Sequence, residues 1–559
     1  MDNKPKQDKL SLIPLGGVGD VTRNMYVYEY QNQMLIVDCG LGFADETMLG
    51  VDLLIPDITY LEKALSQGKK IVGMLITHGH EDHMGALPFI LPQLPDFPIY
   101  ATPLCASLAS GKLAEFGIAK KVISVSFESD HELHLGAFSA QFIRVTHSVP
   151  DTSHIFIRTP IGNFYHGSDF KIDPMPYDGK TTDIQKIKDL AKLGVLCLLS
   201  DCLGAERAGT TPSEATLTQF FADSMPTVQG KYIVTTYSSN INRLNQVLTV
   251  AEKLQKHVCF VGRSLMNTVE VAKQMGLIKM PKGMEIRSDE VKFYKDNQLV
   301  LFVAGSQGQE NSALSRIAGG EHRDIRLTPR DTVVFSSDPI PGNEITVNSV
   351  IDEILRLGCT VLYSDIAHVH VSGHGSQDEL AQLIDMVKPK KLFPIGGNFK
   401  HMIAYRKLAM QKGYQKQDVL LPNDGQEIVF TQDSASFGAM HSVKPVYVDE
   451  ISGEEIEGYV LRDRQKISQE GLVAIMAEVD ATSGKLIGRP DIIIRGFSEK
   501  EGDDIKRALF EEMQQKLSGK QGKTTSWVYL RKLIGEIAEK RLYKQFRRRP
   551  LILPVVIEV

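Results

Sequence analysis

The six cysteines, Cys39, Cys105, Cys197, Cys202, Cys259 and Cys359, are scattered, with no CxxC pair among them. That excludes a disulfide framework and a thiolate zinc site, so any metal has to be held by imidazole and carboxylate. Long apolar runs are also missing. None approaches the ~20 residues of a membrane span, and the opening MDNKPKQDKL has no apolar stretch of the signal-peptide kind. A cytoplasmic protein with no membrane association is expected. Excess positive charge is lacking too: 63 Lys+Arg stand against 68 Asp+Glu, a formal net charge of -5. A histone-like polyanion binder is therefore excluded, and binding to nucleic acid has to come from local patches. No short-period repeat or low-complexity tract appears.

What remains is an ordinary soluble composition, 42% hydrophobic and 23% charged over 559 residues, enough for roughly three or four domains. Residues 10 to 38 read as two β-rich runs broken by a glycine turn, and to about residue 200 the pattern is strand, turn, helix, repeated. Between 214 and 371 the alternation is cleaner: KYIVTTYSS, HVCFVGRS, NQLVLFVAGSQG and DTVVFSSDPIPG each precede a helical stretch, as in a doubly wound parallel sheet. The segment DSASFGAMHSVKPVYVDEISGEEIEG reads as a linker. The last hundred residues form a small α/β unit, one helix carrying Ile505, Leu509, Met513 and Leu517, the next Trp527, Leu530, Leu533, Ile534 and Ile537.

The sharpest signal is Thr77-His78-Gly79-His80-Glu81-Asp82-His83, directly after the apolar run IVGMLIT. His78 and His80 project to one side by two-residue alternation, so they can converge on a borderline metal such as zinc or manganese. Asp82 and His83, on the following turn, can face a second ion. His147 closes AQFIRVTHS and Asp169 closes NFYHGSDF. Either alone is more often an ordinary loop residue, but beside an HxHxDH element both become ligand candidates, and a carboxylate suits bridging two cations. Asp38, ending MLIVDCG, reads as an acceptor that orients a ligand histidine.

Two glycine-rich segments are candidates for binding anions. Val369-His370-Val371-Ser372-Gly373-His374-Gly375 is a strand breaking into glycines, where backbone N–H groups lie beside imidazoles and a hydroxyl. Gly305-Ser306-Gln307-Gly308 precedes a helix expected near Asn311. The bland alternative is that these glycines only make tight turns. Arg541, Lys544, Arg547, Arg548 and Arg549 could touch phosphates, complement a helix dipole, or belong to a subunit interface.

These residues resemble a known family. HxHxDH followed by a strand-end His and a strand-end Asp is the signature of the metallo-β-lactamase superfamily. LGGVGDVTRNMYVYE, THGHEDHMGALPFIL, THSVPD, LLSD, SSNINRL, AGSQGQ, FSSDPIPGN and HVHVSGHGSQDE resemble ribonuclease J, of the β-CASP branch, over nearly the whole chain. The resemblance implies a metallo-β-lactamase αββα sandwich in two parts, 1–213 and 372–432. It also implies an inserted β-CASP α/β domain at 214–371, a linker at 433–455 and a small α+β C-terminal domain at 456–559. It further implies a ribonuclease that degrades RNA 5′ to 3′ from a 5′-monophosphate end and can cut internally, in rRNA maturation and mRNA decay. Carried over, one Zn2+ would sit on His78, His80 and His147. A second would sit on Asp82 and His83, with Asp169 bridging, and Mn2+ is the alternative metal. Asp201 matches the proton-donor position and His374 the proton acceptor, while Ser238, Ser239, Asn240, His370, Val371, Ser372, Gly373 and His374, together with Gly305-Ser306-Gln307-Gly308, match the pocket for the RNA 5′ end. Partners would be RNA and a second subunit, either another copy or a ribonuclease J paralogue, in an RNA degradosome.

One departure stands out. Family members carry a further histidine in a segment like PVHGEY. Here the segment is Phe393-Pro394-Ile395-Gly396-Gly397-Asn398-Phe399, with Gly396 in the histidine's place. The usual Gly before the bridging Asp is Ser168, and His401 and His166 are the nearby imidazoles that could compensate. This pattern resembles the second, less active ribonuclease J paralogue of bacteria that carry two, so activity is expected to be weak, the alternative being a mainly non-catalytic partner subunit. A small-molecule hydrolase is disfavoured because a small substrate needs no inserted domain, and a DNA-directed nuclease is separable by comparing RNA with DNA.

Overall fold

Apolar runs of five to seven residues build two sheets that bury a shared core. Leu10–Gly16 is buried at every position and Gln33–Val37 at four of five, as a strand covered on both faces requires. In the computed structural model, which describes residues 8–45, 47–127, 132–340, 342–449, 455–480, 486–517 and 527–559, these strands belong to an eight-stranded sheet. Its order is Ala435–Met440, Gln426–Phe430, Leu10–Gly16, Met25–Tyr30, Gln33–Val37, Lys70–Ile76, Ile99–Ala101, Ile123–Ser124. The second sheet has six strands, Leu133–Leu135, Phe138–Arg144, Ser153–Thr159, Gly162–His166, Cys197–Asp201 and Lys391–Ile395. Tyr28, Leu35 and Phe430 of the first share one core with Phe142, Ile155 and Leu198 of the second. Helices such as Pro103–Glu115 and Gln377–Val387 complete the sandwich.

The chain leaves this sandwich after Cys197–Asp201 and returns at Lys391–Ile395, pairing in parallel with the strand it left. Between them a five-stranded, wholly parallel sheet forms in the order His257–Val261, Leu299–Val303, Tyr232–Thr235, Thr332–Phe335, Thr360–Leu362. Its two faces carry separate cores, one around Leu244 and Val247, the other around Leu314 and Ile351. This is the expected mixed α/β architecture, a sandwich with an inserted domain.

Two compact units result, one taking in Leu54–Val446 and the chain up to Phe43, the other Ala44–Leu53 with Tyr447–Val559. In the second, a three-stranded sheet of Asp491–Arg495, Leu472–Val479 and Leu551–Glu558 packs against the helices Glu499–Leu517 and Trp527–Phe546. Ile505, Leu509, Met513 and Leu517 are buried as their spacing predicts. Trp527 is not: it is half exposed, because the buried stripe of its helix starts at Leu530.

Two further expectations need correction. Residues 10 to 38 contain three long strands and the short Val18–Gly19, not two runs. The expected linker begins as a strand, Ala435–Met440, which pairs antiparallel with Gln426–Phe430 at the sheet edge. Edge pairing satisfies backbone groups whatever the side chains are, so the small and polar residues there gave no periodic signal. Residues 450–454 of that linker lie outside the described residues.

Candidate metal centre

Chemistry-bearing residues collect where strands of the sandwich end, which is where α/β folds place their sites. Lys70–Ile76 runs into Thr77 and His78, and the next turn, Glu81–Met84, carries Asp82 and His83. His147 follows Phe138–Arg144, Asp169 follows Gly162–His166, and Asp201 ends Cys197–Asp201. The last three strands of the sheet run parallel, so Asp169, Asp201 and Gly396 emerge at the same edge.

The geometry converges on Asp169. Its Oδ2 lies 3.4 Å from His83 Nε2, 3.7 Å from His78 Nε2, 3.7 Å from His147 Nε2 and 3.9 Å from His374 Nε2. Three groups of ligand atoms within 4.8 Å of one another form around it among the described residues: His78, His80, His147 and Asp169; Asp82, His83 and Asp169; Asp169, Asp201 and His374.

Tautomers follow from the partners, and they test whether a metal fits. His147 Nδ1 is 2.7 Å from the Gly373 carbonyl oxygen, which can only accept, so Nδ1 carries the proton and Nε2 the lone pair. That Nε2 is 3.1 Å from His80 Nδ1, itself 3.1 Å from His78 Nε2. Burial holds all three imidazoles neutral: it pushes His78 and His147 well below their ordinary range and His80 down to about 3. Converging lone pairs on buried neutral imidazoles, closed by a carboxylate, are the donor set of a borderline divalent cation.

The second group is charged differently. Burial alone would lower His83, but Asp169, Asp82 and Asp38 outweigh it and raise the imidazole well above its ordinary range. Asp38 Oδ2 accepts from His83 Nδ1 at 2.7 Å and Asp38 Oδ1 from the Thr77 amide at 2.8 Å; Asp38 is fully buried. Burial works to raise Asp169, yet His83, His374 and His78 hold its carboxyl well below the usual range. Burial and the nearby Asp169 raise Asp82 to about 6 against the opposing pull of His83.

Neither compensating imidazole reaches this second group. His166 Nδ1 lies 2.9 Å from Tyr28 Oη, and His401 Nδ1 accepts from the Asn398 amide at its own helix start at 3.2 Å, with Nε2 3.5 Å from Glu206. Gly396 leaves room: a Cβ built there meets only Asp169 Oδ1, at 3.6 Å.

His374 Nδ1 is 2.7 Å from Asp201 Oδ2. Burial would lower His374, but Asp201 and Asp169 overcome it and raise it to about 9. Val371 is packed in the core of the inserted domain, and Ser372 Oγ accepts from the His374 amide and from Arg207 Nη2. Ser238 Oγ faces Ser264 at 3.4 Å. Asn240 is buried, its Oδ1 capping the helix Ile241–Lys253 while its Nδ2 has no partner. His370 stands 3.9 Å from Asp338. Ser239, beside Asn240, is half-buried.

At the other glycine segment the glycines allow close packing. A Cβ at Gly305 would strike Ser312 Oγ and one at Gly308 the backbone of Thr346, while Gln307 is spent on the backbone of Asp338 and Ile340. The basic cluster is largely occupied within its own unit: Arg541 pairs with Glu512, Arg548 with Glu501, and Arg547 and Arg549 lie over Tyr543.

Several participants had no sequence signal of their own. Thr77 Oγ1 touches Asp38, His78 Nδ1 and Ser168 Oγ at 2.9, 3.0 and 3.1 Å. Asn24 Nδ2 lies 3.3 Å from His83 Nε2, and Ser148 Oγ 3.3 Å from His80 Nε2. Thr77 alone was within reach, because it directly precedes the histidine motif.

Known proteins match the chain along nearly its whole length. Family models match in chain order: Metallo-beta-lactamase superfamily at 18–168, Ribonuclease J beta-CASP domain at 229–354, Zn-dependent metallo-hydrolase RNA specificity domain at 361–422 and Ribonuclease J C-terminal domain at 459–559. The chain is 36% identical to Ribonuclease J 1 of Streptococcus pyogenes serotype M3, covering 99% of this chain and 98% of that one. It is 32% identical to Ribonuclease J2 of Bacillus subtilis, covering 100% of both. It is 36% identical to Ribonuclease J of Thermus thermophilus, covering 99% and 96%. A solved structure, a protein of unknown function from Enterococcus faecalis V583, shares the fold at TM-score 0.53 and 15% identity over 76% of this chain and 100% of that one. Matched from its first strands to its last by relatives of this kind, the chain belongs to the ribonuclease J family, metal-dependent ribonucleases of the β-CASP branch of the metallo-β-lactamase superfamily.

Proposed function

We propose that this chain hydrolyses RNA from a 5′-monophosphate end, with internal cleavage as a second mode, and that it does so weakly on its own. The observation that carries this reading is the position of Asp169 Oδ2, within 3.9 Å of four imidazoles contributed by three separate segments of the chain. His78, His80, His147 and Asp169 would hold one zinc ion, and Asp82, His83 and Asp169 a second, with manganese as the alternative. When bound, the cations lower the pKa of water and offset the charge that protects a phosphodiester. Asp38 holds His83 by its Nδ1 and Gly373 holds His147 by its own, so each ring presents Nε2.

His374 manages the proton. With Asp201 on its Nδ1, which favours the imidazolium, the Asp201–His374 pair would handle the proton of the leaving 3′ oxygen, a contribution of about a hundredfold to ten-thousandfold. Ser238, Ser239, Asn240, His370, Val371, Ser372 and Gly373 frame the pocket for the 5′ phosphate, with Arg207 bracing Ser372 and the His374 carbonyl. The proposed domain limits are those expected above, with the strand Ala435–Met440 added to the sandwich.

Gly396 favours a second reading, a mainly non-catalytic subunit that pairs with a more active ribonuclease J paralogue, because glycine offers the second metal no ligand. Purified chain titrated with manganese or zinc against 5′-monophosphorylated RNA, with His80→Ala in parallel, separates the two. Metal-dependent cleavage lost in His80→Ala supports the enzyme; equal background in both leaves the partner role.

A further inference from the structure

Four charged side chains lie buried where the inserted domain meets the sandwich. Lys171, Asp173, Glu214 and Arg243 are 2%, 2%, 6% and 0% exposed. Lys171 Nζ is 3.5 Å from Asp173 Oδ2 and 3.8 Å from Glu214 Oε2. Glu214 Oε1 accepts from Arg243 Nε at 2.7 Å, and its amide donates to Asp173 Oδ2 at 2.9 Å. Two positive and two negative charges balance, but apolar residues of similar volume would often be as stable or more so. The ends of the chain of pairs say what else it does.

One end is tied to the metal ligands. The Lys171 amide donates to the Thr146 carbonyl at 2.8 Å, and Thr146 Oγ1 donates back to the Lys171 carbonyl at 2.6 Å. Lys171 is thereby fixed to the residue before His147, and it stands two residues beyond Asp169. The other end is tied to every segment of the proposed 5′ pocket. Arg243 Nη1 donates to Ser336 O, Ser336 Oγ and Val369 O at 2.8, 2.6 and 3.3 Å, and Ser336 Oγ donates to Val369 O at 2.6 Å. The Arg243 amide donates to Asn240 Oδ1 at 3.0 Å. The guanidinium therefore fastens Ser336, at the end of Thr332–Phe335, and Val369, at the start of 369–374, to Glu214, while the main-chain amide of the same residue joins it to the 238–240 segment.

We propose that Arg243, braced by Glu214, is a positioning residue that sets the spacing between the 5′-phosphate pocket and the metal centre, and so the preference for a 5′-monophosphate end. This rests on the functional reading above. An end-bound RNA is cut at a fixed step only if pocket and metal centre hold a fixed separation, and a displacement of about 1 Å can cost a hundredfold in rate. Arginine's rigid fork suits this task, because lysine cannot hold Glu214 and the Ser336 and Val369 acceptors in one plane.

The test uses the full metal-loaded chain and two RNAs of one sequence, 5′-monophosphorylated and 5′-hydroxyl, with kcat and KM measured on each for wild type, Arg243→Lys and Ser336→Ala. Metal content and thermal melting are read alongside. Arg243→Lys is expected to raise KM for the monophosphorylated RNA about tenfold and bring the ratio of kcat/KM between the two RNAs toward one, with metal per chain unchanged. Ser336→Ala, which keeps the guanidinium, is expected to move the ratio the same way by about threefold and to melt like wild type. A wild-type ratio of one, a ratio retained in a variant that melts like wild type, or an equal loss on both RNAs overturns the proposal. Should the wild type cleave neither RNA, the functional reading fails. The spacing role is then read from fluorescence anisotropy on the same two RNAs, where end discrimination retained in Arg243→Lys overturns it independently.

Discussion

The carbonyl oxygen of Gly373 accepts the Nδ1 proton of His147 at 2.7 Å. The segment returning from the inserted domain thus dictates the tautomer of a metal-ligand candidate 226 residues earlier in the chain. The approach is so close that a Cβ at Gly373 would lie 2.7 Å from His147 Cε1 and 2.8 Å from its Nδ1, and neither a backbone carbonyl nor a buried ring can yield that much. Gly373→Ala is therefore expected to weaken zinc binding by about tenfold to a hundredfold and to lower kcat on RNA with it. Zinc titration against a chromophoric chelator checks this; wild-type affinity in the variant would sink the argument.

Restoring an imidazole at Gly396 is the converse experiment. A Cβ there makes only an ordinary 3.6 Å contact with Asp169 Oδ1, although the backbone φ of +64° costs an L-residue roughly 1–2 kcal/mol. Gly396→His is expected to melt lower than wild type yet to bind more metal per chain, and to cleave RNA faster by on the order of a hundredfold. Metal content by elemental analysis decides it: an unchanged count would mean that Asp82, His83 and Asp169 already suffice.

Metal removal has an expected cost. With His78, His80 and His147 held neutral by burial, the folded protein presents a site that the unfolded chain lacks. Zinc at about a hundred times its Kd should then add ~2.7 kcal/mol of stability. Melting of chelator-treated protein against added zinc measures the gain, and His80→Ala should lose most of it. Equal gains in both proteins would place the binding elsewhere.

What the sequence disclosed follows physical range. His78, His80, Asp82 and His83 were legible because strand alternation and one turn bring them together locally, and His147 and Asp169 because each sits just past a β-rich run. Asn24, Ser148 and Arg207 act through hydrogen bonds to residues 59, 68 and 165 positions away in the chain, and no periodicity encodes that kind of meeting. Gly305 and Gly308 are ambiguous for the opposite reason: a glycine needed for close packing looks the same in sequence as one needed for an anion. The buried charges Lys171, Asp173, Glu214 and Arg243 were invisible because charged residues are read as surface until a structure buries them.

The Asp201–His374 pair leaves a pH signature in the metal-free protein. Asp201 and Asp169 outweigh burial and raise His374 from its ordinary 6.5 to about 9, so the folded state binds a proton that the unfolded state releases earlier. The stabilisation is then complete below pH 6.5 and is lost as pH rises through about 9. Other groups titrate in the same range, Asp424 among them, raised by burial to about 7, so the wild-type curve alone does not isolate the pair. The difference in melting temperature between wild type and His374→Asn does. It should be largest below pH 6.5, shrink steadily above it and vanish beyond pH 9. A difference that stays flat across this range would mean that Asp201 holds His374 by geometry alone, with no net preference for the imidazolium.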